Sequence, residues 1–294
     1  MDVSDLRVFE AVVRHGSMNR AASELNTVQS NVTARIRALE QELGVILLQR
    51  HARGVTATPA GERVLPFAGQ LSKLLADVRT AARDDGEPKG SLRLGSLETT
   101  AAFRLSPFLS QFAVTYPDVQ LAITTGTTCR LVADVVESRL DGAFVAGPID
   151  HADLHRELVF REEMVLVTSP AIQAPQELVR LGELKTIVFQ IGCSYRQRLE
   201  AVLAGMGIVV AKPLEFGSLD VIIACVSAGV GVTLLPRGVV ATAGKEGRVV
   251  IHALPPEQAL VETLFVRRHD SYVSSAMSAF LDIAELHDKF PLAA

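Results

Sequence analysis

Gln29, Ser30, Asn31, Thr33, Ala34 and Arg37 carry short, amide-bearing or cationic side chains within nine positions of one another. At about 100° per residue, Val32, Ile36, Leu39 and Leu43 form an apolar stripe at spacings of four, three and four, and the polar set lies on the opposite face. That outward chemistry suits recognition rather than reaction. Gln and Asn pair bidentately with adenine, Ser and Thr reach base edges or phosphates, and small residues let a helix sink into a DNA major groove. Residue types suited to catalysis are not grouped in this way. The chain has no HExxH, GxSxG, Walker or paired-cysteine zinc spacing, and Cys129, Cys193 and Cys225 are an odd number without ligand spacing. His151 and His155 stand four apart in DHADLH and read as a solvated connection. Neither an enzyme nor a cofactor-bearing protein is expected.

The elements that must position this face follow from the flanking sequence. Ser17 is a good N-cap for a short helix through Arg20, Ala21, Ala22 and Leu25, which Asn26 and Thr27 break before the second helix begins. Gly44 stops that second helix. A preceding helix from Ser4 to His15 points Leu6, Phe9 and Val13 inward and closes at Gly16. After Gly44, Val45 to Leu48 reads as a short strand, Arg50 to Gly54 as a basic tip and Val55 to Thr58 as the returning strand, a winged arrangement in which Arg53 suits minor-groove entry.

The run AASELN, followed by Gln29, Val32, Thr33, Ile36, Leu39-Glu40, Leu43-Gly44, Arg50 and Thr58-Pro59-Ala60-Gly61, resembles the N-terminal signature of the LysR-type transcriptional regulators. The chain departs from the family's more usual proline, serine and phenylalanine at positions 30, 33 and 48, where it has Ser30, Thr33 and Leu48. The DNA-contacting set expected from this face and its flanks is Arg20, Gln29, Ser30, Asn31, Thr33, Arg37, Arg50 and Arg53. Gln29 and Thr33 would read bases, and the arginines would anchor phosphates.

Charge agrees with that placement. The whole chain carries −4, yet Arg14 to Arg53 holds six Arg against three Glu, while residues 91–294 hold 17 basic against 22 acidic groups. With 294 residues and 48% apolar content, the chain can bury a large core in two or three units. The apolar stretch from Val221 to Leu235 holds two glycines and ends at Pro236, so it reads as a helix feeding a buried strand rather than a membrane span. The N-terminal residues lack a basic signal-peptide region, and a cytoplasmic location is expected.

From Pro59 one helix is expected to about Ala82, with Val64, Phe67, Leu71, Leu74, Val78 and Ala81 forming a coiled-coil seam and hence a homodimer or homotetramer. Residues 83–90 are charged and bounded by Gly and Pro, a hinge. Beyond it strands and helices alternate as parallel βαβ winding: Ser91 to Ser96, a single helix Thr100 to Tyr116, Val119 to Thr124, a helix Cys129 to Arg139, and Gly142 to Ala146. A second set starts near Met164, with strands Ile187 to Gln190 and Gly231 to Leu235 and helices Tyr195 to Met206 and Asp220 to Ala228. The strand Ala259 to Val266 and the helix Val273 to His287 finish the chain. Two such halves joined by crossing strands describe a periplasmic-binding-protein-like fold. Tyr116-Pro117-Asp118-Val119, Leu140-Asp141-Gly142-Ala143 and Ser227 to Gly231 with Leu235-Pro236 extend the LysR resemblance through it.

The expected fold is thus α/β, with an all-α-type winged helix-turn-helix domain at 1–59, a linker helix at 60–85 and a hinge at 86–90. An effector-binding domain of two α/β subdomains follows at 91–294, subdomain I being 91–162 with 267–294 and subdomain II 163–266. Ligands in such sheets bind beyond the carboxyl ends of strands, where helix N-termini offer free amides. Four loops qualify: Ser96 to Thr100, Thr125 to Arg130, Gln190 to Arg196, and Gly217 with Ser218. From them the expected effector contacts are Ser96, Glu98, Thr99, Thr100, Thr127, Thr128, Gln190, Cys193, Ser194, Arg196 and Ser218. Hydroxyls and Arg196 favour a small carboxylate, and Glu98 is reconciled with it if the effector also carries an amine. The function read from the sequence is a sequence-specific DNA-binding regulator modulated by a small molecule between the two subdomains. The alternatives are an architectural DNA binder without ligand and, behind it, an enzyme-like α/β protein.

Overall fold

The computed structural model describes residues 2–51, 54–180, 184–189, 194–210 and 213–288, with side chains as far as Ile283 in the last helix. They form two compact units, one built mainly from the chain up to Asp84 and the other from Asp85 onward.

The first unit runs α1 (Val3–His15), α2 (Met18–Glu24), α3 (Gln29–Leu43), β1 (Leu48–His51), β2 (Gly54–Ala57) and α4 (Pro59–Ala81). Asp2 caps α1 by accepting the Ser4 amide at 2.9 Å, and Asp5 returns the favour to the Asp2 amide at 3.2 Å. Gly16 and Gly44 end α1 and α3 at φ of 59° and 68°, a left-handed conformation that costs glycine little. The core packs Phe9 and Val12 of α1, Ala21 of α2 and Val32, Ile36 and Leu39 of α3 around Leu47. Truncating Leu39 to Ala would cost about 2–5 kcal/mol. Arg35, half-buried beside the apolar stripe of α3, donates to Ser4 and Asp5 at 2.9 and 2.8 Å, which clamps α3 to α1.

Three expectations change here. Leu43 is 38% exposed, because α3 ends there beyond the reach of the core. The first strand starts at Leu48, since Glu40 takes the amides of Leu47 and Leu48 at 2.8 and 3.1 Å and leaves Val45 and Ile46 as an exposed connection. The seam on α4 divides between two faces. Val64 and Leu71 pack with buried Ala68 on the three-helix core, and Ser72 donates to Glu10 at 2.9 Å, while Phe67, Leu74 and Val78 are exposed.

The second unit is β3 (Gly90–Ser96), α5 (Glu98–Thr100), a π-helical turn (Ala101–Leu105), α6 (Ser106–Thr115), β4 (Val119–Thr125), α7 (Thr128–Val136), β5 (Gly142–Ala146) and β6 (Leu154–Thr168). Then come a 3-10 turn (Pro175–Arg180), β7 (Ile187–Val188), α8 (Ser194–Gly205), β8 (Leu214–Glu215), α9 (Leu219–Ser227), β9 (Thr233–Pro236), α10 (Arg237–Lys245), β10 (Val250–Ala253), α11 (Pro256–Ala259), β11 (Leu260–Arg268) and α12 (Ser275–Asp288).

A sheet of seven strands, ordered β10-β6-β11-β5-β3-β4 with β9 also on β6, runs through both halves of this unit. The parallel pairing expected from the sequence holds for β3 with β4 and β5 and for the separate short pair of β7 with β8, while the other pairings of the seven-stranded sheet are antiparallel. Strands β6 and β11 pair antiparallel over Leu154 to Glu163 and Leu260 to Arg268, and they are the crossing strands that carry the chain between halves. β6 therefore begins ten residues before the expected Met164. The expected single helix from Thr100 to Tyr116 contains the π turn, placed just ahead of Pro107, whose missing N–H and bulky ring disfavour uninterrupted α geometry. Helix α7 stops at Val136 rather than Arg139, and Ser138 follows at φ 60°.

Candidate functional site

On α3, Gln29, Ser30, Asn31, Ala34 and Arg37 are exposed and Thr33 is half-buried. Val28, the N-cap residue, offers no side-chain acceptor, so the amides of Gln29 and Ser30 remain available to an anion such as a phosphate, while that of Asn31 donates to Val28 O at 3.0 Å. Asn31 Nδ2 donates to Thr27 Oγ1 at 2.9 Å, which fixes one side of its amide. Arg37 and Arg50 are exposed and form no ion pair among the described residues. Glu40 is occupied by backbone amides, so it does not draw Arg50 into the domain. Arg20 is exposed but its guanidinium donates to the carbonyl of His15. Arg53 lies outside the described residues. The wing behind it is fixed at its base: β1 and β2 pair from Leu48↔Ala57 to His51↔Gly54, and Val55 N donates to Gly16 O at 2.9 Å. A Cβ on Gly54 would lie 2.5 Å from that Gly16 oxygen, so glycine is required where the wing meets the end of α1.

In the second unit a cavity of about 310 Å³ is lined by Leu97, Glu98, Thr99, Thr125, Gly126, Thr127, Arg130, Phe189, Tyr195 and Gly217. Its walls come from the ends of β3 and β4 in one half and from the start of α8 and the residues flanking β7 and α9 in the other. Gly126 N donates to Ser96 O at 3.0 Å, which stitches the first two loops together. Thr99 Oγ1 and Tyr195 Oη, both buried, lie 3.4 Å apart and join the two halves across the cavity. Glu98 supplies a carboxylate and Arg130 a guanidinium. Arg130 is 75% exposed and only 3.7 Å from Asp134, a surface pair that holds it weakly.

Of the expected effector contacts, the cavity brings together Glu98, Thr99 and Thr127. Ser96 is fully buried beside it and donates to Leu97 O at 3.0 Å, Thr100 is buried, and Thr128 Oγ1 accepts the Ala146 amide at 3.3 Å. Ser194 begins α8, and its buried Oγ has no hydrogen-bond partner among the described residues. Arg196 pairs with Glu200 at 3.0 Å and Glu215 at 2.9 Å, and Glu200 above all holds its pKa above the ordinary value. Ser218 is the N-cap residue of α9 without a side-chain cap. Gln190 and Cys193 lie outside the described residues. The lining adds Leu97, Thr125, Gly126, Arg130, Phe189, Tyr195 and Gly217. Leu97 and Phe189 were missed because apolar residues read as core; the available signal was their position just past β3 and β7.

His151 Nδ1 accepts the Asp153 amide at 3.2 Å, and no group of three potential metal ligands occurs among the described residues. No helix of the described residues is long and apolar enough to cross a membrane.

A winged helix-turn-helix on one unit and a cleft between two α/β halves on the other define a DNA-binding protein with a ligand-binding domain. Comparison with known proteins agrees. Residues 3–62 match the bacterial regulatory helix-turn-helix model of the lysR family, and residues 85–287 match the LysR substrate binding domain. The transcriptional regulator GltR of Bacillus subtilis is 40% identical over 99% of this chain and 98% of its own, and YofA of the same organism is 40% identical over 96% and 98%. The fold matches a full-length OxyR variant from Pseudomonas aeruginosa with a TM-score of 0.71 at 19% identity, covering 97% of this chain and 93% of that one. It also matches CbnR complexed with its target DNA with a TM-score of 0.64 at 21%, covering 97% and 99%. The chain belongs to the LysR family: it is a transcriptional regulator, not an enzyme, with a helix-turn-helix DNA-binding domain and an effector-binding domain.

Proposed function

We propose that the effector is a small zwitterion or carboxylate of amino-acid size, bound in the cavity between the two α/β halves. The observation that carries this reading is the pairing of one carboxylate, Glu98, with one guanidinium, Arg130, in a lining otherwise made of hydroxyls, glycines and the apolar Leu97, Phe189 and Tyr195 ring. A ligand amine meets Glu98. Its carboxylate meets Arg130 and the free amides at the start of α7, where the helix dipole favours an anion. The volume suits a ligand of that size. Binding draws the halves together and shifts the arrangement of DNA-binding heads in a homodimer or homotetramer, with residues 60–85 as the dimer helix and 86–90 as the hinge. The operator is an interrupted palindrome, read by Gln29 and Thr33 and anchored by arginines, and the protein works in the cytoplasm.

The test is thermal stabilisation of the full chain by a panel of α-amino acids, monocarboxylates and amines. Stabilisation by at least one amino acid or carboxylate, lost in Glu98→Gln or Arg130→Gln, is expected. Stabilisation by none of them, or by amines alone, would contradict the reading.

A further inference from the structure

The segment from Glu98 to Leu105 touches the opposite half of its unit at two points. Thr99 meets Tyr195 of α8 across the cavity at 3.4 Å. Four residues later, Phe103 meets Gly238 at the start of α10 so closely that a Cβ there would stand 2.3 Å from two ring atoms. Residues four apart share a helix face, so one face of this segment bears on the partner half twice. Next to Phe103, Arg104 is fixed to the crossing strand: its Nε and Nη2 donate to Glu162 at 2.7 and 3.3 Å, and Glu162 is only 5% exposed. The guanidinium also lies 5.2 Å from the centre of the Phe103 ring and 5.3 Å from that of Phe160. Beyond Gly238, Arg237 is held to Glu163, the next residue of the same strand, by two bonds of 2.7 Å. A π-helical turn at this position is a one-turn departure from α geometry, and such departures persist where surrounding contacts over-determine them.

We propose that the π-helical turn Ala101–Leu105 is a positioning element of the cavity: Phe103 resting on Gly238 and Arg104 locked to Glu162 set the distance from Thr99 to Tyr195. The half-buried pair supplies the rigidity, because a doubly bonded guanidinium lying against two rings is held in one geometry. Gly238 supplies the close approach that lets the turn bear on α10. Regulation follows from this only if the cavity is the effector site, whereas the measurement below reads the geometry with no ligand present, so the two readings fail separately.

The chain has three tyrosines, Tyr116, Tyr195 and Tyr272, so full-length protein labelled with 3-fluorotyrosine gives three fluorine resonances, assigned by tyrosine-to-phenylalanine variants. In Gly238→Ala the Tyr195 resonance should shift by more than its linewidth while that of exposed Tyr272 stays in place. Adding Phe103→Leu should return it toward the wild-type position, since the ring that the new methyl strikes is gone. Arg104→Gln, which keeps Gly238, should displace the same resonance, and it decides the matter alone if Gly238→Ala does not fold. A Tyr195 resonance unmoved in both variants, or a Gly238→Ala shift that Phe103→Leu leaves unchanged, would overturn the proposal.

Discussion

Thr99 and Tyr195 place their hydroxyls 3.4 Å apart inside the second unit, one on α5 just past β3 and the other at the start of α8, and so tie one α/β half to the other. A hydrogen bond between buried hydroxyls contributes a net of about 0.5–1.5 kcal/mol. Tyr195→Phe and Thr99→Val should each lower the melting temperature, and the double variant should lose less than the sum. Strict additivity in that cycle would show that the hydroxyls do not interact.

On α3, Gln29 is exposed at the first turn and Arg37 lies about two turns further along, which separates the reader from the anchor. Gln29→Ala should cost about 1–3 kcal/mol on the cognate operator and relax selectivity, whereas Arg37→Ala or Arg50→Ala should weaken cognate and scrambled DNA alike and reduce the salt slope by about one. Competition binding at several salt concentrations checks both. An unchanged cognate-to-scrambled ratio in Gln29→Ala would remove it from the readers.

Phe67, Leu74 and Val78 are 64%, 57% and 59% exposed on one helix, an apolar row of the kind that marks an interaction surface. Phe67→Asp or Leu74→Asp should shift the oligomer toward monomer in mass photometry and weaken operator binding. The melting of the first unit should change little, because neither side chain belongs to its core. Oligomers of unchanged size would move the dimer contact elsewhere.

His252, on β10, is buried, and its ring nitrogen Nε2 lies 2.8 Å from Thr168 Oγ1. Burial holds its pKa below the ordinary 6.5, and Glu177 only partly opposes this. The unfolded chain therefore takes up the proton first as pH falls. Stability is present in full above pH 6.5 and declines from there toward the depressed folded value, by up to about 1.4 kcal/mol per pH unit. His252→Gln should flatten this part of the stability profile in denaturant titrations between pH 7.5 and 5. An equal slope in both proteins would assign the acid sensitivity to other groups.

The helix-turn-helix was legible because its signals are local: Ser17 and the two glycines at 16 and 44 cap helices whose apolar spacing is regular. The crossing strand was not. From Leu154 to Glu163 it interleaves charged residues with buried ones, and it pairs antiparallel with β11, about a hundred residues further along the chain, a relationship no local window contains. The π turn was hidden because the apolar period continues through it. Loop chemistry points to the strand ends that line the cavity, whereas the hydroxyls of Ser96 and Thr128 bond the backbone and the apolar Leu97 and Phe189 join the lining. Burial, which depends on the folded neighbours, decides between those roles.

Whether occupancy of this cavity changes how the protein holds DNA is tested most directly by fluorescence anisotropy of a labelled operator with full-length protein. A compound that stabilises the protein through Glu98 and Arg130 should change operator affinity by about 5–150-fold, the range of 1–3 kcal/mol of coupling. Thr127→Val should raise the concentration needed while leaving ligand-free DNA affinity as it was. If the stabilising compound leaves operator affinity and footprint unchanged at saturation, the cavity does not regulate DNA binding, and the second unit serves assembly alone.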